Sequence, residues 1–133
     1  GAPECVLRTG FYLFEPDGLP EILNRVHTAY GALKIYITET GFALPQEQPT
    51  DGCLDDPLRS KYIKSYLDAL LVAIEKGISV KGIYYWSATD NFEWAEGFAK
   101  KFGLISTEPQ TLKRNPKSSL FYYGRCAKAN AAV

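Results

Sequence analysis

Ile35-Tyr36-Ile37-Thr38-Glu39-Thr40-Gly41-Phe42-Ala43 is a β-branched run that ends at a carboxylate, with a glycine two residues further on. The pattern predicts an ionisable side chain at the carboxyl end of a buried strand. In parallel β/α architectures, ligand binding and chemistry take place at that end. A second strand, Ile83-Tyr84-Tyr85-Trp86-Ser87, runs into Asp90-Asn91-Phe92-Glu93-Trp94. Two strand ends, one helix apart, thus each deliver an acid, and the second adds two tryptophans. Carboxylates can act on a glycosidic bond or hold hydroxyls, and indole faces stack on the apolar side of a pyranose. A sugar site is the expectation.

The segments around these strands read as helices. Leu19 leads into Pro20, and Ile22, Leu23, Val26 and Tyr30 recur at helical spacing until Gly31. Asp56 reads as an N-cap ahead of Pro57, a residue suited to the first helical position because its missing N–H costs nothing there. Leu58, Tyr62, Ile63, Tyr66, Leu67, Leu70, Leu71 and Ile74 then form a wide apolar stripe that stops at Gly77. Asn115 reads as the cap of Pro116, opening a last helix toward Cys126, with residues 127–133 frayed. The strands, about 34–38 and 79–86, are near-continuous apolar runs of the kind covered on both faces in parallel sheets. The order is helix, strand, helix, strand, helix. The loop 44–55 reads as exposed, and the long aromatic loop 89–113 as functional.

Two parallel strands with open edges need neighbours. A (β/α)8 TIM barrel has eight strands in about 250 residues. The 133 residues read as its last quarter plus the preceding helix, one partial domain spanning 1–133. With 15 basic and 15 acidic residues, the chain has no electrostatic case for nucleic acid or an anionic membrane. No apolar run approaches the roughly 20 residues a membrane helix needs. Cys5, Cys53 and Cys126 contain no C-x-x-C, which argues against a zinc ribbon or thioredoxin-like chemistry. They read as incidental thiols, with a Cys5–Cys53 disulfide left open. His27, the only histidine, lies in a helical stretch away from both acidic strand ends, so the chain holds no Ser-His-Asp or Cys-His triad.

The residues from about 14 to 123 resemble the glycoside hydrolase family one β-glucosidases. Ile37-Thr38-Glu39-Thr40-Gly41 is similar to that family's Thr-Glu-Asn-Gly nucleophile motif, and Trp86-Ser87-Ala88-Thr89-Asp90-Asn91-Phe92-Glu93-Trp94 to its final-strand signature. Gly97-Phe98 and Lys101-Phe102-Gly103-Leu104 match the following turn. Leu112-Lys113-Arg114 and Pro116-Lys117-Ser118 match the entry to its last helix. The resemblance implies the C-terminal part of a TIM barrel, strands seven and eight with flanking helices, and retaining hydrolysis of β-glucosides or β-galactosides without metal or cofactor. It implies Glu39 as the catalytic nucleophile and Trp86 as the stacking platform for the sugar. It further implies Glu93 as acceptor for O4 and O6, Trp94 as a contact to O3, and Phe102 packed near C6. Thr40 departs from the pattern, standing where the family has asparagine.

Retaining cleavage needs two carboxyl groups about 5–5.5 Å apart. By spacing alone Glu39 and Glu93 could be that pair, but the resemblance assigns Glu93 to hydroxyl binding. The family's acid/base lies in an Asn-Glu-Pro motif, which is absent here. The chain is therefore expected to be inactive alone and to need the N-terminal part of the barrel. The rival readings are a degenerate sugar-binding or interaction remnant, and a helper chain that completes a barrel with a second polypeptide. Asp90 and Asn91 are expected to shape the loop. Lys113, Arg114 and Lys117 read as a solvated face rather than a phosphate site. A carboxylate beside O6 would repel a 6-phosphate, which favours unphosphorylated glycosides.

Overall fold

The computed structural model describes residues 14–44, 48–50 and 53–133. The elements run α1 (Gly18–Tyr30), β1 (Ile35–Thr40), β2 (Gln48–Thr50), β3 (Cys53–Asp55), α2 (Pro57–Glu75), β4 (Val80–Tyr85), a 3₁₀ turn (Trp94–Glu96), β5 (Ile105–Thr107), β6 (Arg114–Pro116) and α3 (Ser118–Ala129). The expected helix–strand–helix–strand–helix order holds, with two short antiparallel hairpins, β2–β3 and β5–β6, set into the two loops.

β1 and β4 pair in parallel, with Ile35 opposite Val80, Tyr36 opposite Gly82, Ile37 opposite Ile83 and Thr40 opposite Tyr85. The uneven steps in that register show two irregularities, one of them between Ile37 and Thr40. Such bulges re-aim side chains near sites, and this one brackets Glu39. α2 is the crossover between the two strands, as a parallel pair requires.

One face of the pair packs against the helices. Ile35, Ile37, Val80 and Ile83 meet Leu23 of α1, Leu70 and Ala73 of α2, and Ile78. A second cluster, Phe42, Leu44, Tyr62, Ile63 and Leu104, joins the strand-end loops to α2, with Tyr122 and Tyr123 of α3 packed on it. The opposite face is bare: Tyr36 is 54% and Tyr84 55% exposed. The expected cover on both faces is thus absent among the described residues, where nothing packs on the second side. The stripe on α2 is likewise wider than its cover, since Leu58, Leu71 and Ile74 remain exposed.

Four local expectations need correction. Asp56 does not cap its own helix. Its carboxylate accepts from the Ser119 N–H (2.8 Å), Ser119 Oγ (2.7 Å) and Ser118 Oγ (2.8 Å), so it caps α3 from across the molecule. Asn115 lies in β6, and α3 begins at Ser118 instead of Pro116. Residues 127–129 continue α3, and Asn130 closes it in the left-handed region. Lys117 is the fourth correction: its side chain is fully buried and pairs with Asp90 at 3.0 Å, so it belongs to no solvated face. Lys113 and Arg114 are exposed as expected. Cys126 is buried, and Cys5 lies outside the described residues.

Candidate active site

The carboxyl ends of β1 and β4 are fastened together. The Trp86 N–H donates to the Thr40 carbonyl at 2.7 Å. Gly41 is required by this approach, because a Cβ there would sit 2.0 Å from the Trp86 carbonyl oxygen. Beyond Trp86 the chain is zipped to residues 102–105. The Ser87 carbonyl accepts from Leu104 N–H (2.9 Å), the Ala88 carbonyl from Ile105 N–H (3.0 Å), and Asp90 N–H donates to the Ile105 carbonyl (3.0 Å). Gly103 has no room for a side chain, since a Cβ would meet the Asp90 nitrogen at 2.2 Å. Backbone pairing thus brings Phe102 under the Trp86 strand end.

Buried ions set the loops. Asp90 Oδ1 accepts from the Gly103 N–H and the Lys117 ammonium, both at 3.0 Å. Arg59, fully buried, pairs with Asp56 and donates to the carbonyls of Phe42 and Lys101. It therefore ties the loop that leaves β1 to the turn beside Phe102. Asp90 shapes the loop as expected. Asn91 does so too, donating from Nδ2 to Glu93 Oε2 at 2.9 Å, which leaves that carboxylate oriented at the cleft. The Glu93 N–H closes on the Gly97 carbonyl at 2.7 Å, and Trp94 takes a positive φ of 45° at the start of the 3₁₀ turn.

Around these ends lies an open cleft of about 710 Å³. Glu39, Trp86, Glu93, Trp94 and Phe102, all five residues singled out from the sequence, line it. Glu39 is exposed at its edge, Trp94 is 82% exposed, and Phe102 is buried with its edge on the cleft. Sequence reasoning missed the wall opposite. Tyr62 and Tyr66 of α2 line the same cleft, and Thr40 joins them. Tyr62 stacks on Tyr66 (centroids 4.3 Å apart) and on Phe42 (5.1 Å), and its hydroxyl lies 2.8 Å from Thr40 Oγ1. Burial pushes the Tyr62 phenol well above its ordinary range. The apolar stripe on α2 had assigned both tyrosines to the core, and helical spacing carries no sign of which ring edges reach a cleft. No cluster of three or more His, Cys, Asp or Glu side chains suited to a metal occurs among the described residues.

A cleft with two carboxylates, one of them held by an amide, and two indoles suits a polyhydroxylated ring with an apolar face. The comparisons agree with that class. Residues 7–132 match the model of Glycosyl hydrolase family 1, and the chain belongs to that family. It is 38% identical over 115 residues to beta-glucosidase A of Thermotoga maritima, covering 86% of this chain and 26% of that protein. It is also 38% identical over 117 residues to a 6-phospho-beta-galactosidase of Streptococcus equi subsp. zooepidemicus, covering 87% of this chain and 25% of that protein. The family 1 β-glucosidase of Thermotoga maritima in complex with isofagomine lactam superposes with a TM-score of 0.91 at 34% identity, covering 98% of this chain and 30% of that one. The chain therefore spans between a quarter and a third of these relatives. The solved relatives are TIM-barrel enzymes, and the strands described here close no barrel.

Proposed function

We propose that this chain is the strand-seven and strand-eight portion, a partial domain over 1–133, of a retaining β-glycosidase of the β-glucosidase type. The observation that carries the reading is the convergence of Glu39, Trp86, Glu93, Trp94 and Phe102 on one cleft at adjoining parallel strand ends. In this reading the Glu39 carboxylate attacks C1 of a terminal β-D-glucosyl or galactosyl unit. The glycosidic C–O bond breaks as the leaving oxygen takes a proton, giving a covalent glycosyl-enzyme that water then hydrolyses. Trp86 supports the apolar face of the ring. Glu93, held by Asn91, accepts from O4 and O6, Trp94 lies along O3, and Phe102 packs near C6. The proton donor comes from the remainder of the barrel, and proton transfer to the leaving group contributes about 10²–10⁴-fold in rate. The same remainder covers the bare face of β1 and β4. No metal or cofactor takes part.

The test compares the 133-residue chain with the same chain joined to the missing portion of the barrel, for which the corresponding segment of the Thermotoga maritima enzyme serves. The joined protein is expected to hydrolyse a chromogenic β-glucoside, and Glu39→Gln to abolish turnover. A 2-deoxy-2-fluoro-β-glucoside should label Glu39 covalently, and a label mapped to another residue would sink the assignment. Azide should give no glycosyl azide with Glu93→Ala, since a small anion replaces a nucleophile or traps an intermediate but does not mimic a hydroxyl acceptor. Because relatives of equal identity carry both β-glucosidase and 6-phospho-β-galactosidase names, the assay includes a 6-phospho-galactoside. The Glu93 carboxylate predicts preference for the unphosphorylated sugar. A second reading is an inactive sugar-binding or interaction remnant, and sugar binding without turnover in the joined protein would support it.

A further inference from the structure

We propose that Thr40 and Tyr62 act as a positioning pair that fixes the end of β1 so that Glu39 is aimed at the reacting carbon. The inference rests on the nucleophile role proposed for Glu39. Among the described residues Glu39 is exposed, so what these residues contribute to its aim comes through the backbone that carries it. Thr40 is the next residue, and it is held twice. Its carbonyl accepts from the Trp86 N–H at 2.7 Å, and its hydroxyl lies 2.8 Å from the Tyr62 phenol oxygen.

The first tie belongs to the backbone pairing of β1 with β4, in which Thr40 lies opposite Tyr85; the second adds a side-chain restraint on the helix side of the strand end. Its value depends on the rigidity of the phenol, and Tyr62 is well clamped. It is 7% exposed, stacks between Phe42 and Tyr66 with ring planes 25° and 28° apart, and has Phe14 at 5.7 Å. Phe42 is pinned in turn, its N–H donating to Tyr85 Oη (3.2 Å) and its carbonyl accepting from Arg59 Nε (3.3 Å). Gly41, between them, has no side chain to offer. The hydroxyl of Thr40 is therefore the side-chain anchor adjoining Glu39. Being β-branched, Thr40 has few χ1 states to lose when it takes this partner. A phenol holds its proton at neutral pH, and burial of Tyr62 raises its pKa further, so the hydroxyl stays available to Thr40.

A misplacement of about 1 Å in a reacting group can cost on the order of 100-fold in rate without loss of binding. In the joined protein, Thr40→Val and Tyr62→Phe each remove one hydroxyl and preserve shape. Each is expected to lower kcat, and the rate constant of inactivation by the 2-fluoro-glucoside, by about 10- to 100-fold, with KM within about twofold. Thr40→Ser should recover most of the loss. The double variant should be no slower than the worse single, because both break the same contact. Unchanged kcat in the folded single variants, or effects that multiply in the double, would overturn the proposal. Glu39→Gln is the control that separates the two readings. If it stays active, the nucleophile assignment fails. If it is dead while Tyr62→Phe is unaffected, only the positioning pair fails.

Discussion

Replacing Lys117 by methionine removes the ammonium from a desolvated ion pair while nearly preserving the length of the side chain. The magnitude follows from the burial. The side chains of Lys117 and Asp90 are 0% and 2% exposed, with Nζ 3.0 Å from Oδ1, so water cannot replace the lost partner. The Asp90 carboxylate would keep the Gly103 N–H as a donor to Oδ1, while Oδ2 is already buried without a partner. Breaking such a pair by deleting one member costs about 3–5 kcal/mol, whereas a solvated surface lysine costs under about 0.5 kcal/mol. The two readings of Lys117 thus differ by nearly an order of magnitude. The assay is urea unfolding of the joined protein, comparing the midpoint at unchanged slope among wild type, Lys117→Met and Lys117→Met/Asp90→Leu. The double variant removes the stranded charge along with its partner and is expected to be more stable than the single one, even though it leaves the Gly103 N–H unpaired. A single-variant loss under about 1 kcal/mol, or a double variant less stable than the single, would refute the reasoning. Because Asp90 begins the loop that carries Asn91 and Glu93, KM for the β-glucoside should rise in Lys117→Met as well.

Three further outcomes are expected. Gly41→Ala puts a Cβ 2.0 Å from the Trp86 carbonyl oxygen, which no rotamer relieves, so the β1 end must part from Trp86 and kcat should fall by about 100-fold or more; activity close to wild type would contradict the close approach. Tyr85 is pushed up to about 12, chiefly by burial, so the folded state holds its proton more tightly than the unfolded one; this stabilisation is complete below about pH 10 and is lost as pH rises from about 10 to 12, and Tyr85→Phe should flatten that stretch of a stability–pH curve. The 133-residue chain alone exposes Tyr36, Tyr84 and two open strand edges, so it should oligomerise or bind a hydrophobic dye and show no measurable turnover; a sharp melt from a monodisperse monomer would argue against this.

What the sequence determined by itself was local or directional. The β-branched run into Glu39, the aromatic run into Trp86 and the Pro57-to-Gly77 stripe each encode an element through short-range sterics and periodicity. A strand end fixes where its last side chain lies, so Glu39 and Trp86 could be read from the strands and Glu93 and Trp94 from the run that follows, whereas Phe102 was singled out only through the family resemblance. The tertiary structure decided whatever depends on a partner distant along the chain. Asp56 has the composition of a cap, but the helix it caps begins 62 residues later at Ser118. Lys117 looks like any surface lysine until Asp90 is brought to it from 27 residues away. Tyr62 and Tyr66 share one helical stripe with core residues, and only the packing of α2 against the β1 end turns them toward the cleft. The bare face of β1 and β4 has the same origin. Hydrophobic runs state that a surface wants cover, but cover is a contact between elements, and within the described residues the elements that would supply it are not present.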